Sequence, residues 1–173
     1  MLALARPKSI PLDHYLEALK IVPVAISYEW DPCDIDKSKQ LLEEASGAAF
    51  EKSESDDLQA MEKGLFGHNG RIEVSFGEPI SANEHTSLNH YDIANRIDEF
   101  IHANSQLFPS HYVAYQTIEG LLPPDCPYDI KELSKAQALL DERLDNESEN
   151  VRAGVYTAYA APVKSMLGEV QAK

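Results

Sequence analysis

Ile21-Val22-Pro23-Val24-Ala25-Ile26-Ser27-Tyr28 is the most apolar run in the chain. It is continuous, not alternating, and rich in β-branched residues, which predicts a strand covered on both faces, as in a parallel α/β sheet. Pro23 removes a ladder donor, so it belongs at an edge or where pairing is interrupted. Trp30-Asp31-Pro32 ends the strand. Upstream, 7–11 reads as a loop and 12–20 as a weak helix with Leu12, Tyr15, Leu16 and Leu19 on one face. Downstream, Asp34 or Asp36 can cap a helix that runs through Leu41, Leu42 and Ala45 to Gly47, a C-cap signal. After a charged, exposed stretch, a second helix over 57–65 is expected to turn Leu58, Met61 and Leu65 inward. Gly67-His68-Asn69-Gly70 is a turn signal. It leads into Arg71-Ile72-Glu73-Val74-Ser75-Phe76, whose alternation places Ile72, Val74 and Phe76 on one face of a strand with one wet side.

Beyond Gly77-Glu78-Pro79 the character changes to helix. Asn89 can cap a helix carrying Ile93, Ile97, Phe100 and Ile101 on one stripe. Pro109 opens another through Val113 and Ile118, and Pro123-Pro124 is expected to close it. Leu133, Ala136, Leu140 and Leu144 form a further stripe, and 151–170 reads as helical but broken near Pro162. The expected architecture is α/β: a partial sheet over residues 1–82, then a helical extension over 83–173.

The chain has 173 residues, with 15 Lys and Arg against 29 Asp and Glu, a net charge of −14. Such acidity repels a phosphate backbone and an anionic lipid surface, which argues against nucleic-acid binding and against docking of this segment on a membrane. Two cysteines, Cys33 and Cys126, are too few for a disulfide framework or a zinc cage and suit a reducing cytoplasm. No apolar run approaches the ~20 residues of a membrane span, so a soluble chain is expected.

Six histidines, His14, His68, His85, His90, His102 and His111, read as solvated surface residues. None has an Asp five positions later, and none sits in a His-Glu-x-x-His zinc pattern. There is no Gly-x-Ser-x-Gly elbow, phosphate loop or dinucleotide fingerprint. No metal or cofactor is implied. The pairs Glu43-Glu44 and Asp56-Asp57 read as solvated faces, because adjacent residues point apart.

The run 21–28 resembles the fourth conserved block of the glycerol-phosphate and lysophosphatidate acyltransferases, an apolar strand with a central proline. Gly70-Arg71-Ile72-Glu73-Val74-Ser75-Phe76-Gly77-Glu78-Pro79-Ile80 resembles the strand that follows that block. Phe50-Glu51-Lys52-Ser53 and Asp56-Asp57-Leu58-Gln59-Ala60 are similar to the linker and helix of a bacterial branch. Leu107-Phe108-Pro109-Ser110-His111-Tyr112-Val113-Ala114-Tyr115 is similar to its helical tail. The resemblance spans roughly 1–115. It implies an α/β fold and transfer of a fatty acyl group from acyl-CoA or acyl carrier protein to a glycerol-phosphate or lysophospholipid hydroxyl in phospholipid biosynthesis. A His-x-x-x-x-Asp motif activates the hydroxyl in that family and a Glu-Gly-Thr-Arg block holds the glycerol phosphate. Both precede block four, and neither is in this sequence. Arg6-Pro7-Lys8 falls where the sequence just after the Arg-bearing block would be, so an upstream catalytic half is the expected partner.

By resemblance, Val22, Pro23 and Val24 form a substrate-binding wall, with no catalytic residue in this chain. Val22 and Val24 also read as plain core strand. Pro23 is the better candidate, because a proline there is costly without a reason. The expected location is cytoplasmic, at the inner face of the cytoplasmic membrane through the missing half, and the expected behaviour alone is weak stability and self-association. Two alternatives stand beside this reading. One is a non-catalytic interaction module built on the helices after Asn89. The other is an unrelated enzyme using Asp31, Asp34 and Asp36.

Overall fold

A computed structural model describes residues 9–47, 54–81 and 89–169. In chain order the elements are α1 (Leu12–Leu19), β1 (Val24–Tyr28), α2 (Asp34–Ala45), α3 (Glu54–Phe66), β2 (Ile72–Phe76), α4 (His90–Asn104), α5 (Pro109–Glu119), α6 (Ile130–Leu144) and α7 (Glu149–Met166). The described chain is mostly helix with one two-stranded sheet. It forms two compact units, Met1–Ser27 with Ile72–Gln106 and Tyr28–Arg71 with Leu107–Lys173. The expected boundary at 82/83, and the segments 6–8 and 50–53 used in the resemblance, lie outside the described residues.

In the first unit, β1 and β2 pair antiparallel, not through a parallel crossover. The amide of Gly77 donates to the carbonyl of Pro23 (2.9 Å). That bond places Val24 opposite Phe76 and Ile26 opposite Val74, as non-hydrogen-bonded pairs whose side chains share a face. The expectation of a strand covered on both faces is corrected here. Ala25 and Ser27 are buried, whereas Ile26 is 52% exposed. The small residues point inward and the large apolar ones outward, and among the described residues no second layer covers the outer side of the two strands. The alternation in β2 is real, but its apolar face is exposed, with Phe76 73% exposed, and Glu73 on the other face is exposed as well. On the covered side, Ser27 Oγ accepts from the amide of Gln106 (2.8 Å).

The unit's core is small: Leu16 of α1, Ile80 and Ile93 of α4, with Leu12, Ile21 and Ile97 packed around them. Asn89 caps α4 as expected. Its side chain accepts from the amides of Tyr91 and Asp92, and the Asp92 carboxylate accepts from the amide of Asn89. That reciprocal box satisfies donors that would otherwise be orphaned.

In the second unit, α2, α5, α6 and α7 enclose one core. The stripe Leu133, Ala136, Leu140 and Leu144 is buried, as its spacing requires. Pro109 occupies the first turn of α5, and Gly120 closes that helix in the left-handed region (φ 79°). α7 runs unbroken past Pro162, which overturns the expected break. Pro162 and Ala158, whose carbonyl loses the bond, are both exposed, so water can satisfy that carbonyl. Gly154 lets α7 approach α2 closely: a Cβ there would lie 2.2 Å from Ser38 Oγ, which donates to the Val151 carbonyl. α3 exposes Leu58, Met61 and Leu65 instead of turning them inward, because nothing among the described residues packs on that side of it. Among the described residues no helix is long and apolar enough to cross a membrane.

Candidate functional site

Three places carry chemistry, the first around Val22, Pro23 and Val24. Val22 is exposed, Val24 half-buried and Pro23 buried. Pro23 stands just before β1 opposite Gly77 and accepts from its amide, but it cannot return the second bond of that pair. The loss is confined to one bond at the end of the ladder, where a proline is tolerated. A Cβ on Gly77 would meet Pro23 Cγ at 2.7 Å and Phe100 Cε2 at 2.8 Å, so the glycine and the proline fit each other. Beside them lies the bare apolar face of Val24, Ile26, Val74 and Phe76.

The second is a buried polar network where α2 starts. Asp34, 5% exposed, opens α2. Arg143 of α6 reaches it with two bonds, Nε to Oδ2 (3.0 Å) and Nη2 to Oδ1 (2.8 Å), and also donates to the Asp31 carbonyl (2.9 Å). The Tyr159 hydroxyl of α7 donates to Asp34 Oδ2 (3.0 Å) and accepts from the amide of Asp31 (2.7 Å). Burial, then the charge of Asp34, pushes the Tyr159 hydroxyl well above its ordinary range. His111 packs beside it, ring centres 5.8 Å apart. Its Nδ1 accepts from the amide of Phe108 (2.8 Å), and burial pushes its pKa down to about 4. It is therefore a neutral, buried histidine, and the surface reading of all six is corrected for this one. The other acids behave differently: Asp31 caps the amide of Cys33 and pairs with Lys37, and exposed Asp36 pairs with Lys63. Geometry does fix Asp34, but it fixes it between the Arg143 guanidinium and the Tyr159 hydroxyl, in a structural ion pair. Burial, then the charge of Asp31, raises the Cys33 thiol, which makes it a poor nucleophile. No group of three or more metal-ligating side chains converges among the described residues.

The third is a cleft of about 420 Å³ in the second unit. The turn 67–70 and α6 form its walls. Gly70 adopts φ +62°, and a Cβ there would meet Trp30 Cδ1 at 2.4 Å, so only glycine allows the turn to close on the indole. Arg71 clamps Glu29 through Nε (3.1 Å), Nη2 (3.0 Å) and its own amide (3.0 Å). Burial opposes the Glu29 charge, but the Arg71 bonds outweigh it and hold the carboxyl below its usual range.

No protein family, curated protein or solved structure matches the chain. The site therefore stands on its own geometry. The structure puts Val22, Pro23 and Val24 next to each other at a sheet end of the first unit, whereas the Asp34 network and the cleft belong to the second. Sequence reading missed the roles of Arg143 and Tyr159. Their partners lie far along the chain, and no local spacing marks them. His68 and Arg71 were visible as a turn and a strand start, but the cleft they border was not.

Proposed function

We propose that the chain is the C-terminal part of a glycerolipid O-acyltransferase that moves a fatty acyl group from acyl-CoA or acyl carrier protein to a glycerol-phosphate or lysophospholipid hydroxyl. The observation that carries the reading is the hairpin-like pair of β1 and β2. A proline-led Val-Pro-Val-Ala-Ile-Ser strand pairs with a strand ending Phe-Gly-Glu-Pro, and the pair leaves Ile26, Val74 and Phe76 exposed on one apolar face. Sheets are stable when both layers of a core are present, and contiguous apolar surface on a soluble protein marks a place where something packs. A catalytic half bearing His-x-x-x-x-Asp is the occupant this reading requires. It would supply the general base, worth ~10²–10⁴ in rate, and donors to the developing oxyanion. His111 cannot substitute for the base. Its Nδ1 is bonded to the Phe108 amide, and its burial keeps it neutral down to about pH 4. On this reading the whole protein acts at the inner face of the cytoplasmic membrane, attached through the catalytic half.

The test is thioester release by the purified chain with both acyl donors and with lysolipid or glycerol phosphate as acceptor. No turnover above background is expected. Turnover that survives mutation of all six histidines would overturn the reading.

A second reading, a non-catalytic interaction module, draws on the helical unit. Its core is extensive, and the Asp129–Glu132 box and Ser148 cap two of its helices. A defined complex formed by that unit, unaffected by substitutions in β1 and β2, would favour it.

A further inference from the structure

The 420 Å³ cleft has the size of a small-molecule site, and its lining is unequal in a way that selects a ligand. Its floor is apolar: Trp30, Pro109, Ala136 and Leu139. Its walls carry both signs of charge, but the acids are already committed. Glu29 is neutralised by the Arg71 clamp. Glu132 accepts from the amide of Asp129 at the start of α6 and is held by the positive end of that helix. The donors keep spare capacity, Arg71 the least, because it clamps Glu29 and its guanidinium lies 5.2 Å over the Phe108 ring. Lys135 acts on Glu29 by charge alone and makes no ion pair among the described residues. Arg71 keeps Nη1 without a hydrogen bond among them. His68 stands exposed on the turn. Lys135 and His68, with the outer edge of Arg71, above an apolar floor fit a molecule with an acceptor head and a short apolar body. The head is a monoanion: a chain of net charge −14, with Glu29 and Glu132 in the lining, penalises a doubly charged group more than a singly charged one.

We propose that this cleft binds a small organic carboxylate, its carboxylate held by Lys135, His68 and the outer edge of Arg71 and its apolar body resting on Trp30 and Leu139. The site lies wholly in the helical unit and does not depend on the acyltransferase reading.

Trp30 is the only tryptophan in the chain and forms part of the cleft floor, so its fluorescence reports occupancy directly. The probes are hexanoate, acetate as a head without a body, and 1-hexanol as a body without a head. Hexanoate is expected to give a saturable change in Trp30 emission with a Kd on the order of 1 mM, the affinity reasonable for so few heavy atoms. Acetate and hexanol are expected to give none in that range. Lys135→Glu, on the exposed side of α6, and His68→Ala, in the turn, are each expected to weaken hexanoate binding, the first by about tenfold or more because it removes a charge-assisted contact and adds a repulsive one. Circular dichroism melts of both variants verify that they are folded. Lys164→Glu, outside the cleft, is expected to bind as wild type. No saturable change with hexanoate up to roughly 30 mM overturns the proposal. So does an equal response to hexanol or acetate, or undiminished binding by a folded Lys135→Glu.

Discussion

Lowering the pH from 7 to 5 should remove about 2 kcal/mol of stability through His111 alone. The side chain is 8% exposed, its Nδ1 is occupied by the Phe108 amide, and Phe108 and Tyr159 rings flank it. Burial therefore lowers its pKa from 6.5 to about 4, although the charge of Glu29 opposes this. The folded value lies below the unfolded one, so the unfolded chain takes up the proton first as pH falls. The contribution is complete above about pH 6.5 and is lost between there and about pH 4, roughly 3 kcal/mol in full. The His111→Gln comparison isolates the histidine from every other titrating group. The assay is urea unfolding at a series of pH values followed by Trp30, which lies in the same core as Tyr159. His111→Gln, whose amide oxygen can accept from Phe108, should lose almost nothing over that interval. A parallel fall in stability of wild type and His111→Gln, or a His111 pKa near 6.5 by NMR titration, would refute the reasoning.

Leu140→Ala, in a fully buried position, should cost about 2–5 kcal/mol, while Leu58→Ala, 67% exposed, should stay within about 0.5 kcal/mol in the same unfolding assay. Gly154→Ala should destabilise by roughly 1–3 kcal/mol because its Cβ meets Ser38 Oγ, and adding Ser38→Ala should recover part of that loss, measured as a double-mutant cycle. Phe76→Ser, at a 73% exposed position, should leave the unfolding midpoint within error yet reduce self-association by light scattering. An unchanged scattering profile would show that the sheet face is not the adhesive surface.

The helical stripes were legible because a period of 3.6 survives whatever packs against it: 133, 136, 140 and 144 are buried as written, and the Asn89 box formed from residues three apart. Periodicity shows that a helix has two sides and cannot show which neighbour covers the apolar one, so Leu58, Met61 and Leu65 were placed inward and stand outside. The run 21–28 misled for a related reason. A continuous β-branched string suits any pleated surface, and burial of its second face depends on a layer the described residues do not supply. Pro162 failed as a breaker because its lost bond faces solvent. The chemistry was less legible than the fold. Asp34, Arg143 and Tyr159 meet across sequence separations of 109 and 125 residues, and His111 looks like any other histidine until α5 buries it.

Reconstitution tests the central claim most directly. The chain is mixed with the catalytic half of a bacterial lysophosphatidate acyltransferase, from its start through the Glu-Gly-Thr-Arg block, and acyl transfer to lysolipid is followed by thioester release. The account predicts no transfer by either piece alone, transfer by the mixture, and its loss when Phe76→Glu or Ile26→Glu charges the apolar sheet face. Acyl transfer by the chain alone, or a mixture whose activity ignores both substitutions, would contradict it.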